Sequence, residues 1–398
     1  MNDVLQQGVL RLIYSAVSGE AMPLPEDFDL AEAMPLIKAH QIGNLVYYGA
    51  ANCGIDTKQP VMQELFAVTY KCMLMDEWQR IELKRLTEAF DTNGIHYMPI
   101  KGILMKELYP KSDMRIMGDA DVLIKVEQYD RIVPIVEALG YHFVVETDHE
   151  LVWENSGLHL ELHKRLIPDY NRDFVAYYGD CWRLGKPVAD HNGRHAMSDE
   201  DHMIYLFTHF AKHYRTGGIG VRHMLDLYIY RNAKSQIDKQ YLLDELKKLG
   251  LYDFYTNIFK TLAVWFEGAE PDFQTRMIAD HIFGSGAYGS NSQRMMANAI
   301  WDQGKIGKNA KQIQRRKWIQ IIFLPYGAMC IKYPVLKKVK ALLPIMWVAR
   351  WVETLIKKPG RISQTRKNVG LINENTLDSF EERMNAVGLS FDFKERAE

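Results

Sequence analysis

The feature that most constrains this chain is Asp119-Ala120-Asp121, two carboxylates separated by one small residue and followed by the apolar run Val122 to Ile124. The run predicts a buried strand. Residues i and i+2 of a strand project from the same face, so Asp119 and Asp121 are expected to point together. Two adjacent carboxylates repel each other unless a cation lies between them, and such hard oxygen ligands suit Mg²⁺ or Mn²⁺ rather than zinc. The pattern favours a metal site over the alternative, an ordinary surface acid pair.

A second informative stretch lies just upstream. The short apolar run from Ile95 to Ile100 is followed at once by Lys101 and Gly102, and the next residues, ILMKELY, are typical of a first helical turn. A strand that breaks at glycine and opens a helix presents free backbone N–H groups, which suit a phosphate. Lys101 adds a cation to this predicted phosphate site.

This order of strand, glycine turn, helix and acidic strand resembles the palm of the DNA polymerase beta-like nucleotidyltransferases. Within that superfamily the chain resembles a bacterial family of uncharacterised nucleotidyltransferases, whose pattern contains Lys-Gly, Tyr-Pro, Arg and Asp-x-Asp. The matching residues here are Lys101-Gly102, Tyr109-Pro110, Arg115 and Asp119-x-Asp121. The wider superfamily usually has Gly-Ser or Gly-Gly where this chain has Lys-Gly.

The resemblance implies a third carboxylate on a later strand, and the segment LHLELH offers Glu161. Alternation places Leu158, Leu160 and Leu162 on one strand face, with Glu161 on the other. By resemblance, Asp119, Asp121 and Glu161 are the expected catalytic residues and the ligands of Mg²⁺ or Mn²⁺. Lys101, Gly102 and Arg115 are the expected nucleotide-binding residues. The implied reaction transfers a nucleoside monophosphate from an NTP to a hydroxyl acceptor, whether a small molecule, a protein or RNA.

The expected fold class is α+β, a nucleotidyltransferase palm with a small mixed sheet between mostly helical regions. We expect a helical N-terminal region at 1–94, the palm at 95–198 and a helical C-terminal domain at 199–360. The tail at 361–398 is polar, with one amphipathic helix in TLDSFEERMNAVGL. These boundaries follow apolar spacings of three and four in the helical parts and alternation in the central part.

Four residues of the predicted helical domain are weaker candidates. His209 and His213 are spaced i and i+4 and share a helical face, but without an intervening glutamate packing or hydrogen bonding is favoured over zinc. Arg215 is an alternative phosphate contact. Asp226 lies in an apolar helix, so pairing with a cation such as Arg222 is favoured over direct catalysis.

Composition limits the partners of the chain. Its 398 residues carry a net charge of −1, which does not favour RNA as acceptor, and 47% of them are hydrophobic. The basic segment at 305–318 is interpreted as a solvated helix face rather than an RNA contact.

We expect a cytoplasmic protein without membrane insertion, and the oligomeric state stays open. Two alternative functions remain: a catalytically silent nucleotide-binding or scaffold protein, and a toxin-like RNA 3′-end nucleotidyltransferase.

Overall fold

The computed structural model describes residues 4–169, 171–306, 309–357 and 359–390. The helices before the first strand are α1 (Val4–Ser18), α2 (Met34–His40), α3 (Gly43–Asn52) and α4 (Pro60–Thr92). The central part contains β1 (Tyr97–Pro99), α5 (Gly102–Lys106), β2 (Ala120–Ile124), α6 (Tyr129–Ala138), β3 (His142–Glu146), β4 (Glu150–Glu154), β5 (His159–His163), α7 (Arg172–Tyr178), β6 (Lys186–Pro187) and β7 (His195–Ala196). The later helices are α8 (Asp199–Thr216), α9 (Val221–Ala233), α10 (Lys239–Lys248), α11 (Tyr252–Phe266), α12 (Phe273–Ser285), α13 (Asn291–Ile306), α14 (Ala310–Ile322), α15 (Tyr326–Lys332), α16 (Val335–Lys338), α17 (Leu343–Lys357), α18 (Pro359–Gly370) and α19 (Glu374–Ala386).

The main sheet has five strands in the order β1-β2-β5-β4-β3. The pair β2-β5 is parallel and the other neighbouring pairs are antiparallel, so the sheet is mixed. Strands β6 and β7 form a separate two-stranded sheet. Because β2 and β5 are parallel, the chain between them has to cross over, and it does so through α6 and the hairpin of β3 and β4.

The two faces of the sheet have different chemistry. Alternation places Ala120, Val122 and Ile124 of β2 on one face, where they share a buried cluster with Leu160 and Leu162 of β5. That cluster also contains residues of two helices, Leu86 and Phe90 of α4 and Ile132 and Val136 of α6. The same alternation directs the polar residues of β2 and β5 to the opposite face, so one face is closed by helices and the other carries the acids.

The ends of helix α4 follow from its sequence. Pro60 occupies the first turn, where its missing N–H costs no hydrogen bond. Asn93 caps the other end, and Gly94 follows with a φ of 59°, a left-handed conformation that glycine adopts without strain. The chain can therefore reverse within two residues and enter β1.

Contacts within the chain divide it into two units. The first unit comprises the described residues of 1–212, 219–288 and 387–390, and it contains the N-terminal helices and both sheets. The second unit comprises the described residues of 213–218 and 289–386. Its own small core joins Met329, Cys330 and Leu336 to Met346 and Trp347 of α17.

No helix within the described ranges is long and apolar enough to cross a lipid bilayer.

The predicted α+β class and mixed sheet between helical regions are confirmed. The strand predicted in LHLELH corresponds to β5, and the amphipathic segment of the tail forms α19. The polar tail holds a further helix, α18, and the small sheet of β6 and β7 was not predicted either. The expected domain boundaries stay a prediction.

Candidate active site

The acids predicted from sequence converge through strand register. Asp121 of β2 is the direct partner of Glu161 of β5 in the parallel pair. Residues opposite each other in such a pair have side chains on the same face, so both carboxylates lie on the polar face of the sheet. Asp119 directly precedes β2 and is reached by solvent although protein surrounds its carboxylate, whereas Asp121 is buried. The charges of Asp121 and Glu161 act on Asp119, and we call these three residues the acid group.

Lys101 joins the acid group from the turn after β1. Its Nζ lies 2.5 Å from Oδ1 of Asp121, in an ion pair that is largely buried. Lys101 has a φ of 52° and a ψ of −121°, a backbone conformation that non-glycine residues rarely adopt. Such strain persists where the surrounding structure holds it, and functional sites are common places for it. The strained turn directs the ammonium to the acids.

Gly102 follows Lys101 and begins α5, which has only five residues. A Cβ at this position would lie 3.2 Å from Cγ of Met117, so a larger residue would press on the segment that leads to Asp119. The predicted strand, glycine turn and helix are present. The short helix offers a weaker positive end than a long one, because few aligned peptide dipoles contribute to it.

His163 is a member of the site that sequence reasoning did not select. Its Nε2 lies 2.7 Å from Oδ1 of Asp121 and 3.5 Å from Oε2 of Glu161. Single ligand atoms of Asp121, Glu161 and His163 all lie within 4.8 Å of one another. The available signal was its position two residues after Glu161, on the same strand face.

The electrostatics of the two aspartates run in opposite directions. Burial alone would raise the pKa of Asp121, but the charge of Lys101 and the hydrogen bond from His163 hold it well below its usual range. Partial burial raises the pKa of Asp119 to about 6, and the negative charges of Asp121 and Glu161 add to this effect. Asp119 is therefore the acid of this pair that takes up a proton more readily.

Two more groups extend the site across the sheet and toward α8. His149 and Glu150 form a second close group with His163, and Glu150 is the register partner of His163 on β4. Lys212 of α8 is buried, and its pKa is lowered to about 8 by burial and by the charge of Lys101, although Asp121, Glu150 and Glu161 oppose that change. Neither extension was predicted.

The residues present fit a divalent cation. Carboxylates of Asp119, Asp121 and Glu161 are hard oxygen donors of the kind that suits Mg²⁺ and Mn²⁺, and the imidazole of His163 adds a nitrogen donor beside two of them. After burial, the negative charges of Asp121 and Glu161 are the next causes of the raised pKa of Asp119, and the charge of Lys101 opposes them. The acid group thus has the donors and the residual negative charge that a cation requires.

Arg115 is placed differently from its sequence interpretation. Its guanidinium is buried, and its Nε donates to Oδ1 and Oδ2 of Asp226 at 2.8 and 3.0 Å. Tyr109 donates to the same Oδ1 at 2.7 Å. The guanidinium of Arg115 is thus paired with a buried carboxylate. These contacts do not support the expected binding of a nucleotide phosphate by Arg115. Asp226 does pair with a cation as expected, but the partner is Arg115 and not Arg222, whose Nη1 donates to the backbone oxygen of Ile116 at 3.2 Å.

The histidine pair of α8 contributes no group of metal ligands among the described residues, since the two groups found contain neither His209 nor His213. The ring of His209 lies against Tyr205, with centroids 6.4 Å apart, in agreement with the favoured packing role. His213 and the buried Arg215 fall in the second unit. Their contribution to the site stays a prediction.

Comparison with solved structures gives distant similarities. The solution structure of the antibiotic-resistance factor ANT(2'')-Ia has 14% sequence identity and a TM-score of 0.32, covering 49% of this chain and 100% of that one. A crystal structure of ANT(2'')-Ia in complex with adenylyl-2''-tobramycin has 13% identity and a TM-score of 0.33, covering 43% and 96%. A search of curated proteins gives no match.

Comparison with family models is more decisive. The model described as an uncharacterised nucleotidyltransferase matches residues 26–267, which is more than half of the chain. The matched range includes Lys101, the acid group, His163 and the pair of Arg115 and Asp226. The chain therefore belongs to this family of nucleotidyltransferases.

Proposed function

We propose that this protein transfers a nucleoside monophosphate from an NTP to a hydroxyl acceptor, with Asp119, Asp121 and Glu161 holding Mg²⁺ or Mn²⁺. One observation carries the proposal: the direct register of Asp121 and Glu161 on parallel strands, with Asp119 two residues before Asp121. Three acids from two separate segments converge on one polar face. Phosphoryl transfer needs such a site, because charge neutralisation and positioning account for most of its catalysis.

The residues of the chain divide the work of this reaction. When bound, the divalent cations neutralise the phosphate charge and polarise the attacking hydroxyl. Asp119, Asp121 and Glu161 bind them, and His163 fixes the carboxylate of Asp121 through its 2.7 Å contact. The acceptor oxygen forms a bond to the α-phosphorus as the bond from that phosphorus to the bridging oxygen breaks. Pyrophosphate leaves, and the hydroxyl proton passes to a carboxylate of the acid group.

Two lysines are proposed to bind the β and γ phosphates. Lys101 stands beside Asp121 and Gly102 opens α5, so a triphosphate at this turn meets an ammonium and backbone N–H groups. Lys212 of α8 interacts electrostatically with Asp121 and Glu161, whose charges act to raise its pKa. A triphosphate would compete with Asp121 for Lys101 and thereby free that carboxylate for a cation.

Arg115 is proposed to act beneath the site. Its pair with Asp226 joins the segment before β2 to helix α9, and this segment carries Asp119 only four residues later. The negative charge of Asp119 also helps to raise the pKa of Arg115. Arg115 would therefore position Asp119 rather than touch the nucleotide.

NTP as substrate is consistent with a cytoplasmic location, which remains part of the proposal.

The test is transfer of label from NTPs labelled at the α-phosphate, with Mg²⁺ or Mn²⁺. Small metabolites, proteins and RNA are offered separately as acceptors. We expect the α label on one acceptor class and pyrophosphate in solution. Glu161→Gln should lose transfer, whereas Glu137→Gln, which removes an exposed acid on α6, should retain it.

Three other outcomes separate the alternatives. Nucleotide binding without transfer to any acceptor would indicate a catalytically silent binding or scaffold protein. Label at RNA 3′ ends alone would indicate the toxin-like activity. Equal transfer by the parent and by Glu161→Gln would remove the acid group from the mechanism.

A further inference from the structure

Helix α17 of the second unit presents an apolar face to solvent. Its outward residues include Ile345, Val348, Val352, Leu355 and Ile356, with exposed fractions between 48% and 74%. Their spacing follows steps of three and four, so they occupy one side of the helix. The outward face of this helix is thus apolar, in addition to the side that packs on the core of the unit through Met346 and Trp347.

The polar residues of α17 have partners within the second unit. Arg350 donates from Nη2 to the backbone oxygens of Ile321 and Ile322, at 2.6 and 2.9 Å. The carboxylate of Glu353 pairs with Lys332 and accepts a hydrogen bond from Tyr333. Because these polar contacts and the packing of Met346 and Trp347 fix one side of α17 against the unit, the side with Ile345 and Val352 is left facing solvent.

Charge in this part of the chain is strongly asymmetric. Residues 305–358 contain thirteen lysines and arginines and one carboxylate, that of Glu353, although the whole chain has a net charge of −1. Lys337, Lys338 and Lys340 are exposed immediately before α17, and Lys357 is exposed at its end. The apolar face is therefore bracketed by cations at both ends.

We propose that this face of α17 and its flanking lysines dock on an anionic lipid surface. An interfacial helix buries apolar side chains among the headgroups and acyl chains, and nearby lysines add attraction to anionic lipids. Lysine stems can extend along the apolar region while the ammonium stays at the headgroups. Docking of this kind is peripheral and needs no membrane-spanning helix.

The other possible occupants satisfy only half of these features. A second copy of the chain could cover the apolar face, but it would bring an equally basic segment close to the first, and like charges oppose that contact. RNA would neutralise the lysines, yet phosphate contacts do not need an exposed strip of isoleucine, valine and leucine. An anionic lipid surface matches the charge and the apolar face together.

The test is co-sedimentation of the full chain with vesicles. We expect binding to an equal mixture of phosphatidylcholine and phosphatidylglycerol, weaker binding at high salt, and little binding to phosphatidylcholine alone. The double variant Ile345→Gln with Val352→Gln should bind at least about tenfold more weakly. Glutamine keeps helix propensity, and both side chains are exposed, so the fold should be retained. Leu74→Gln, at an exposed position on α4, is the matched control and should bind as the parent does.

A second pair of variants tests the charge. Lys337→Glu with Lys338→Glu should also weaken binding to the anionic vesicles at least about tenfold, whereas Lys71→Glu on α4 should not. The proposal is overturned if the parent ignores anionic vesicles, or if both double variants bind as the parent does. It is also overturned if the parent sediments as a dimer without vesicles and the Ile345→Gln, Val352→Gln variant as a monomer. RNA binding without vesicle binding would reassign the lysines to RNA.

Discussion

Lys101 and Asp121 form a buried ion pair, with Nζ 2.5 Å from Oδ1, across the twenty residues that separate the glycine turn from the acidic strand. The pair joins a proposed phosphate ligand to a proposed metal ligand. Burial would lower the pKa of Lys101, yet the charge of Asp121 raises it, so the lysine stays protonated. The protein thus supplies its own cation to a site that we propose for divalent cations.

The ion pair predicts that a divalent cation can replace the missing ammonium of Lys101→Met. Removal of one partner from a buried pair costs about 3–5 kcal/mol, and His163 should keep the loss near the lower end. In EDTA the variant should therefore melt well below the parent, and Mn²⁺ should restore most of the difference. Melting temperatures of both proteins with EDTA and with Mn²⁺ measure this. Lys84→Met, which breaks an exposed pair with Glu88, is the control and should change little. An equal Mn²⁺ effect in parent and variant would contradict the prediction.

A second prediction separates fold from chemistry within the acid group. Two like charges on one strand face suggest that Asp121→Asn should relieve repulsion and leave stability unchanged. The ion pair reverses that expectation, because the variant leaves Lys101 buried without its carboxylate. We expect a loss of about 3–5 kcal/mol in the free energy of unfolding. Glu161 is less buried and has no lysine contact of this kind, so Glu161→Gln should abolish transfer with a loss of at most about 1 kcal/mol. Urea unfolding and transfer assays on Asp121→Asn and Glu161→Gln measure stability and activity. Equal losses of stability in the two variants would contradict the prediction.

The sequence could predict the sheet and the positions of its acids because these depend on local pattern. Alternation in LHLELH identifies the polar face of β5, and the parallel pairing with β2 then brings Glu161 beside Asp121. The glycine turn at Lys101 and the long helix before it also follow from short-range signals. Each of these features needs only neighbours within a few residues.

The partners of buried charges could not be predicted in the same way. Arg115 and Asp226 are 111 residues apart, so only the folded chain shows that they meet. Arg222 is nearer in sequence and lies one helical turn before Asp226, so the sequence predicted it as the partner. His163 escaped selection because a histidine on a half-buried strand is usually a packing residue, and nothing local shows its 2.7 Å contact with Asp121.

The pair of Arg115 and Asp226 predicts a structural role that a double-mutant cycle can measure. Arg115→Met and Asp226→Asn should each cost about 3–5 kcal/mol, since each leaves a buried charge without its partner. Together they should cost clearly less than the sum, because the second change removes the stranded charge. Urea unfolding of the four proteins gives the coupling energy. Calorimetry with Mg²⁺ and a non-hydrolysable triphosphate, below the melting temperature, should show similar affinity in Arg115→Met and the parent. Lost affinity with unchanged stability would return Arg115 to the phosphate site.

We expect His202 to make the stability of the fold depend on pH. Its hydrogen bond is to Tyr230 and to no residue of the acid group. His202 is buried on α8 with Nδ1 3.1 Å from the Tyr230 hydroxyl, and burial lowers its pKa from 6.5 to about 4. The unfolded chain binds the extra proton below pH 6.5 and the folded chain does so only near pH 4. Stability is thus complete above pH 6.5 and falls as the pH drops through this window.

His202→Gln tests this contribution, because glutamine can keep a hydrogen bond to the Tyr230 hydroxyl and does not titrate. Between pH 7 and pH 5 the parent should lose about 2 kcal/mol more than the variant in the free energy of unfolding. Urea unfolding at both pH values measures the two losses. Other buried groups contribute equally to both proteins, so the difference isolates His202. Parallel pH profiles in parent and variant would show that the folded protein protonates His202 as easily as the unfolded chain does.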